Sequence, residues 1–151
     1  MNHAYIRPGG LAQDIPPGTT DMVRDAIPRI KRHTKHLQML INANPIFKGR
    51  SVGVGKLPLP TAMALGATGP ILRSAGYPLD LRKDDPYCGY EKYDFDVITY
   101  SGADAYDRVQ VRFGEIYESL KIVEQTSDRL EAQDRAGRSH PIILDDPSIA
   151  W

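Results

Sequence analysis

Apolar side chains recur along two stretches of this chain with the period of an α-helix. Val23, Ile27, Ile30, Thr34, Leu37 and Ile41 follow one another at alternating steps of four and three, which places them on one helical face in need of a partner surface. Thr20 and Asp21 stand ahead of the pattern as caps and Asn44-Pro45 closes it, so the spacing predicts a helix over residues 20–44. Pro28 lies inside the pattern. Lacking an amide hydrogen, it is expected to kink the helix or to restart it as a first-turn residue.

The second stretch is longer. Tyr106, Val109, Phe113, Ile116, Leu120, Val123, Ser127 and Leu130 keep the same rhythm and predict a helix over 102–135 that crosses a helical bundle. Gly114 interrupts it, at about 1 kcal/mol relative to Ala. Asp104/Arg108 and Glu131/Arg135 stand four residues apart on the polar side, where such pairs add roughly a few tenths of a kcal/mol each.

Punctuation fills the rest. Pro8, Gly9, Gly10, Pro16, Pro17 and Gly18 make residues 1–19 an irregular turn segment. Residues 45–101 form a Gly/Pro-rich connection, in which Pro60–Leu65 and Thr68–Ser74 have room for a turn or two of helix. Tyr93–Thr99 partly alternates and predicts a short strand or an extended segment. After Gly137 the apolar run Ile142–Leu144 leads to Asp145, Asp146 and Pro147, and residues 136–151 end at Ala150-Trp151 without capping logic, as expected of a truncated tail. The fold class is therefore mainly α with at most one or two short strands, and 1–151 reads as a single incomplete domain.

Charge adds little to this picture. Nineteen Lys and Arg balance nineteen Asp and Glu, which leaves no net electrostatic footprint for nucleic acid. Arg29, Lys31, Arg32 and Lys35, with His33 and His36 between them, read as a solvated helix face. A single cysteine, Cys88, excludes an internal disulfide and the multi-cysteine metal motifs. No run approaches the roughly 18 apolar residues of a membrane span, and MNHAYIRPGG lacks the apolar core of a signal peptide. Any membrane association is expected through partners.

The chemical candidates fail one by one. Gly53-Val54-Gly55-Lys56 invites a phosphate-loop reading, but five residues separate Gly49 from Gly55 and Leu57 follows the lysine, whereas the loop needs four and then Ser or Thr. Pro58 stands where a dinucleotide fingerprint has its third glycine. His33 and His36 have cationic neighbours and no third ligand, and His3 and His140 lie far from them in sequence. A nucleophilic cysteine needs a histidine or a helix N-terminus, and Cys88 sits among the acidic neighbours of DDPYCGY as an inert thiol. Asp84/Asp85 and Asp94/Asp96 read as solvated loop charges. The expectation is no catalytic residue and no metal site.

Three blocks change the position. AYIRPGGLAQDIPPG (Ala4–Gly18), GVGKLPLPTAMALGATGPILRSAGYPLDLRKDDPYCGYEKYDFDV (Gly53–Val97) and YDRVQVRFGEIYESLKIVEQ (Tyr106–Gln125) resemble, in order and spacing, the D-subunit family of respiratory NADH-quinone oxidoreductases (complex I). ILDDPSIAW at the end looks like the start of that family's next segment. The resemblance implies the helical-bundle portion of the nickel-iron hydrogenase large-subunit-like fold, without the metal-binding cysteines. It also implies electron transfer from NADH, through iron-sulfur clusters on other subunits, to a membrane quinone, coupled to proton translocation. This chain would bind no cofactor itself. Its partners would be the small subunit carrying a 4Fe-4S cluster, the adjacent peripheral-arm subunit and quinone, at the cytoplasmic face of the cell membrane, held there only through the complex.

The family's quinone-holding histidine and tyrosine belong to a segment before the part that this chain matches. What carries over is the turn around Arg7, close to the cluster-bearing subunit, with Gly9 and Gly10 supplying turn geometry. Arg7 would stabilise reduced-cluster charge or order the interface through forked hydrogen bonds; a structural ion pair is its other reading. Many relatives carry a histidine three residues before the tyrosine. Here Asn2 stands at that place and His3 follows, and because Asn does not titrate, either His3 takes over the proton-linked role or this branch lacks it. Two alternatives keep the same residues in view: the large subunit of a membrane-bound hydrogenase-related complex, and a non-catalytic helical interaction module.

Overall fold

The computed structural model describes the backbone of residues 6–7 and 10–135 and the side chains of 12–133 and 135. The expected tail, 136–151, lies outside the described residues. The elements are β1 (Ile6–Arg7), β2 (Gly10–Leu11), α1 (Thr19–Ala43), α2 (Pro45–Ser51), α3 (Leu59–Ala64), α4 (Gly69–Ser74), α5 (Leu81–Asp84), a 3-10 turn (Tyr90–Lys92) and α6 (Ala105–Arg135). The described chain is mainly helical, as its periodicity predicts. β1 and β2 pair antiparallel, Ile6 opposite Leu11 and Arg7 opposite Gly10.

α1 begins where the amide and hydroxyl of Thr19 both donate to the Pro16 carbonyl, at 3.2 and 2.7 Å. It runs unbroken through Pro28, so the expected restart does not occur; the missing amide leaves only the Arg24 carbonyl without its usual partner. Asn44 ends α1 and starts α2. Its Oδ1 accepts from the amides of Ile46 and Phe47 at 2.9 and 3.1 Å, and Pro45 occupies a first-turn position that needs no amide.

The described residues fall into two compact units, one of those up to Ala26 with those from Thr126, the other Ile27–Gln125. In the first, Arg24 pairs with Asp128 at 2.6 Å and with Glu131. Glu131 also takes Arg135 at 3.0 Å, the pair that the four-residue spacing predicts. Solvent-screened pairs of this kind contribute little to stability.

In the second unit, the packed face of α1 is rotated from the predicted stripe. Ile27 and Thr34 are buried, but Ile30 is 43% and Leu37 51% exposed. The reason is polar. Gln110 Nε2 donates to Asn42 Oδ1 at 2.7 Å, the Tyr106 hydroxyl donates to the same oxygen at 3.3 Å, and Lys31 meets Glu124 at 3.2 Å. These cross-contacts turn residues 27, 31, 34, 38 and 42 toward α6, because that row shares one helical face.

Residues 93–100 are extended but form no strand. They run antiparallel along α6, whose side chains stand in for a neighbouring strand. The Asp94 amide donates to Gln125 Oε1 at 2.9 Å and its carbonyl accepts from Gln125 Nε2 at 2.7 Å. Two residues on, the Asp96 amide donates to Glu118 Oε2 at 2.9 Å.

Gly114 explains how close that approach is. A Cβ added there would stand 2.7 Å from Ile98 Cγ2 and 2.9 Å from Cγ1. Ala at this position gains about 1 kcal/mol of helix propensity but forces the branched Ile98 outward. Gly114→Ala is expected to destabilise the chain by a net ~1–2 kcal/mol, read as a lower urea midpoint. A raised midpoint would show that residues 93–100 are not held against α6.

Candidate functional site

The sequence-derived site residues fall mostly beyond the structure. Asn2, His3 and Gly9 lie outside the described residues. Arg7 and Gly10 are described as backbone only, facing each other across β1 and β2. The described residues instead contain two polar constructions, both in the Ile27–Gln125 unit.

The first secures the start of α6. Asp104, 7% exposed, precedes the first helical residue. Its Oδ1 accepts from the Asp107 amide at 2.9 Å, the bond expected of a helix cap. Its Oδ2 accepts from the Gly53 amide at 2.7 Å. The Ala105 amide donates to the Val54 carbonyl at 3.0 Å, and the Arg108 guanidinium donates to the carbonyls of Gly55 and Ala103. The glycine loop that resembles a phosphate cradle therefore has its Gly53 amide occupied by a carboxylate of its own chain. Gly53 and Gly55 have φ of 73° and 59°, a region that L side chains disfavour. The Asp104/Arg108 pair expected from spacing does not form as an ion pair, because each side chain has a nearer backbone partner.

Ala103 completes this clamp at φ 57°. Its amide donates to the Ser74 carbonyl and its own carbonyl accepts from the Leu57 amide, both at 2.9 Å. Burial pushes the Asp104 carboxyl up, but the amides of Asp107, Gly53 and Tyr106 and the charge of Lys56 together outweigh it. The net result is a carboxyl held below its ordinary range.

The second construction is a cleft of about 390 Å³ lined by Thr68, Gly69, Arg73, Leu79, Asp80, Leu81, Arg82 and Tyr87. Arg73 meets Glu115 at 2.6 Å through Nη2 and donates to the Leu79 carbonyl at 2.7 Å through Nη1. Arg82 meets Asp80 at 2.6 Å, and its guanidinium carbon lies 4.8 Å from the Phe95 ring centre. The Arg82 hydrogen bond holds the Asp80 carboxyl below its usual range against the opposing effect of burial. Every charged group lining the cleft is thus paired within the chain. The arrangement fixes the chain path from α4 through α5.

The remaining sequence candidates sit at the surface. His33, His36, Cys88, Asp84, Asp85, Asp94 and Asp96 are all exposed. Among the described residues no three His, Cys, Asp or Glu side chains gather as a metal site, and no helix is long and apolar enough to cross a membrane. Sequence reasoning misses the structural roles of Arg73, Asp80 and Asp104. A signal exists for Asp104, an Asp directly before a long apolar periodicity, but the four-residue spacing to Arg108 competes with it.

A family model described as respiratory-chain NADH dehydrogenase, 49 Kd subunit, matches residues 1–151. The chain is 53% identical over 151 residues to the NADH-quinone oxidoreductase D subunit of Nocardioides sp., covering 100% of this chain and 33% of the relative. It is 54% identical to a NADH-quinone oxidoreductase D subunit of Streptomyces avermitilis, over 100% of this chain and 32% of that protein. The Rhodococcus jostii D subunit is 52% identical, with 100% and 33% covered. The chain spans about a third of the length of these curated relatives.

Proposed function

The chain belongs to the family of the 49 Kd subunit of respiratory-chain NADH dehydrogenase, and from that premise we propose that it forms part of the quinone-reducing module of a multi-subunit NADH-quinone oxidoreductase. In that assembly electrons pass from NADH through iron-sulfur clusters on other subunits to a membrane quinone, and the reaction drives proton translocation. The end-to-end match at about half identity is the observation that carries this reading. The names of these relatives favour it over a hydrogenase-related large subunit and over a stand-alone helical module. The chain's own contribution is scaffold: α1 and α6 brace each other through amide and ionic contacts, and the Asp104 clamp and Arg73 cleft fix the connection between them. The assembly sits peripherally at the cytoplasmic face of the membrane, and the small subunit with its 4Fe-4S cluster is the neighbour of the Arg7 turn.

Arg7 is the residue through which this chain influences chemistry. Its guanidinium would stabilise negative charge on the partner's reduced cluster or order the interface, a structural ion pair being its other reading. Asn2 does not titrate, so either His3 takes over the proton-linked role or this branch lacks it. Introduced into the assembled complex, Arg7→Gln is expected to slow quinone reduction about tenfold, the equivalent of one charged hydrogen bond. NADH oxidation by an artificial acceptor should be unchanged. Equal loss of both activities would mean failed assembly, and an unaltered quinone rate would remove Arg7 from the mechanism.

A further inference from the structure

The overall neutrality of the chain conceals a segregation of charge. Between Asp25 and Asp80 there is no Asp or Glu, yet Arg29, Arg32, Lys35, Lys48, Arg50 and Lys56 fall in that stretch, and all six are exposed. The two other cations of the stretch turn inward, Lys31 to Glu124 and Arg73 to Glu115. Arg32, Lys35, Lys48 and Arg50 enter no ion pair among the described residues.

Helical geometry gathers part of this charge. Arg29, Arg32, His33 and His36 stand at i, i+3, i+4 and i+7, which is one face of α1, away from the row of Ile27 and Thr34 that packs on α6. Farther along, Met39 and Leu40 on α1 and Ile46 on α2 are also exposed. Ile30 and Leu37 are exposed among the cations as well, so charge and apolar surface are interspersed along this face.

We propose that the outward face of α1, together with α2, is a docking surface for an acidic segment of a partner protein in which carboxylates are interspersed with apolar side chains. The charge is complementary to such a segment. Arg32 and Arg50 present forked donors that suit discrete carboxylates. A helix lying on a membrane surface needs a broad, unbroken apolar face, whereas the exposed apolar side chains of α1, Ile30, Leu37, Met39 and Leu40, are interrupted by Arg29, Arg32, His33 and His36. The inference rests on the placement of charge, independently of the enzymatic reading.

The test uses the full chain and a dye-labelled peptide rich in Glu with interspersed Leu, followed by fluorescence anisotropy. Binding is expected to weaken with salt. Arg32→Glu with Lys35→Glu should weaken it by roughly tenfold or more, while Lys92→Glu with Arg112→Glu, the same change of net charge elsewhere, should leave it within about twofold. If the first pair loses helical circular dichroism, Arg32→Gln with Lys35→Gln carries the comparison and should still weaken binding more than the second pair. Equal loss in the two pairs overturns the proposal. So does binding to phosphatidylserine vesicles without binding to the peptide, which would assign the face to a lipid surface. Salt-sensitive self-association that the peptide does not compete for would assign it to a second copy, and would overturn it as well.

Discussion

Replacing Phe95 by Ala is expected to destabilise the chain by about 3–5 kcal/mol, the range for deleting a buried aromatic ring. Phe95 is 1% exposed and has three kinds of neighbour. The Tyr90 ring lies 6.5 Å away at an interplanar angle of 70°, an edge-to-face arrangement that adds about 0.5–1.5 kcal/mol beyond burial. The Arg82 guanidinium carbon and the Lys83 ammonium stand 4.8 and 4.7 Å from the ring centre. Arg82 is the partner of Asp80, which in turn caps α5 through the Arg82 amide at 3.0 Å. Loss of the ring therefore removes both core packing and the surface against which the Arg82–Asp80 pair is set. Phe95→Leu separates the two effects, since it keeps most of the apolar volume but offers no π face to the cations; it should cost less than half as much. Urea melts of both variants check this, and a loss below about 1 kcal/mol for Ala would show that residues 93–100 contribute little to the core.

The same region shows where the sequence was legible and where it was not. α1 and α6 could be read from period alone, because a stripe sustained over about five or more turns has no other economical explanation. Their contact faces could not. Ile30 and Leu37 belong to the apolar stripe, but Asn42, Gln110 and Tyr106 decide the rotation through hydrogen bonds, and polar residues carry no weight in a hydrophobic pattern. Tyr93–Thr99 has strand-like alternation for a real reason: its backbone is extended and Phe95 points inward while Asp94 and Asp96 face out. No sheet follows, because Gln125 and Glu118 satisfy its amides, and side chains some twenty to thirty positions away cannot be anticipated from local propensity. Gly114 has the look of a weak point in a helix and is the site of a close approach. The family could be read from three blocks of motif. The polar clamps could not, since their pairs, such as Arg73 with Glu115 and Asp104 with Gly53, are joined only by folding.

Removing the Asp104 carboxylate should have the next largest effect. Asp104→Ala leaves the Asp107 amide at the start of α6 and the Gly53 amide of the glycine loop without their acceptors. A lost cap costs about 0.5–2 kcal/mol and a buried unsatisfied donor about 1–3 kcal/mol; because the two overlap, a total near ~2–3 kcal/mol is expected. Asp104→Asn keeps one acceptor oxygen and should lose roughly half of that. The acid dependence gives a second readout. Asp104 binds its proton less readily in the folded chain than in the unfolded one, because the amides and Lys56 outweigh burial. Its contribution is therefore complete above the unfolded value, about 3.9 for an aspartate, and is lost as pH falls through the lower folded value. Asp80, held down by Arg82, works in the same direction. The wild-type chain should lose urea resistance steeply below about pH 4. The Asp104→Asn chain should lose it less steeply but not flatly, since Asp80 remains. Superimposable acid profiles for the two chains would mean that the Asp104 carboxylate is not the ion that joins the glycine loop to α6.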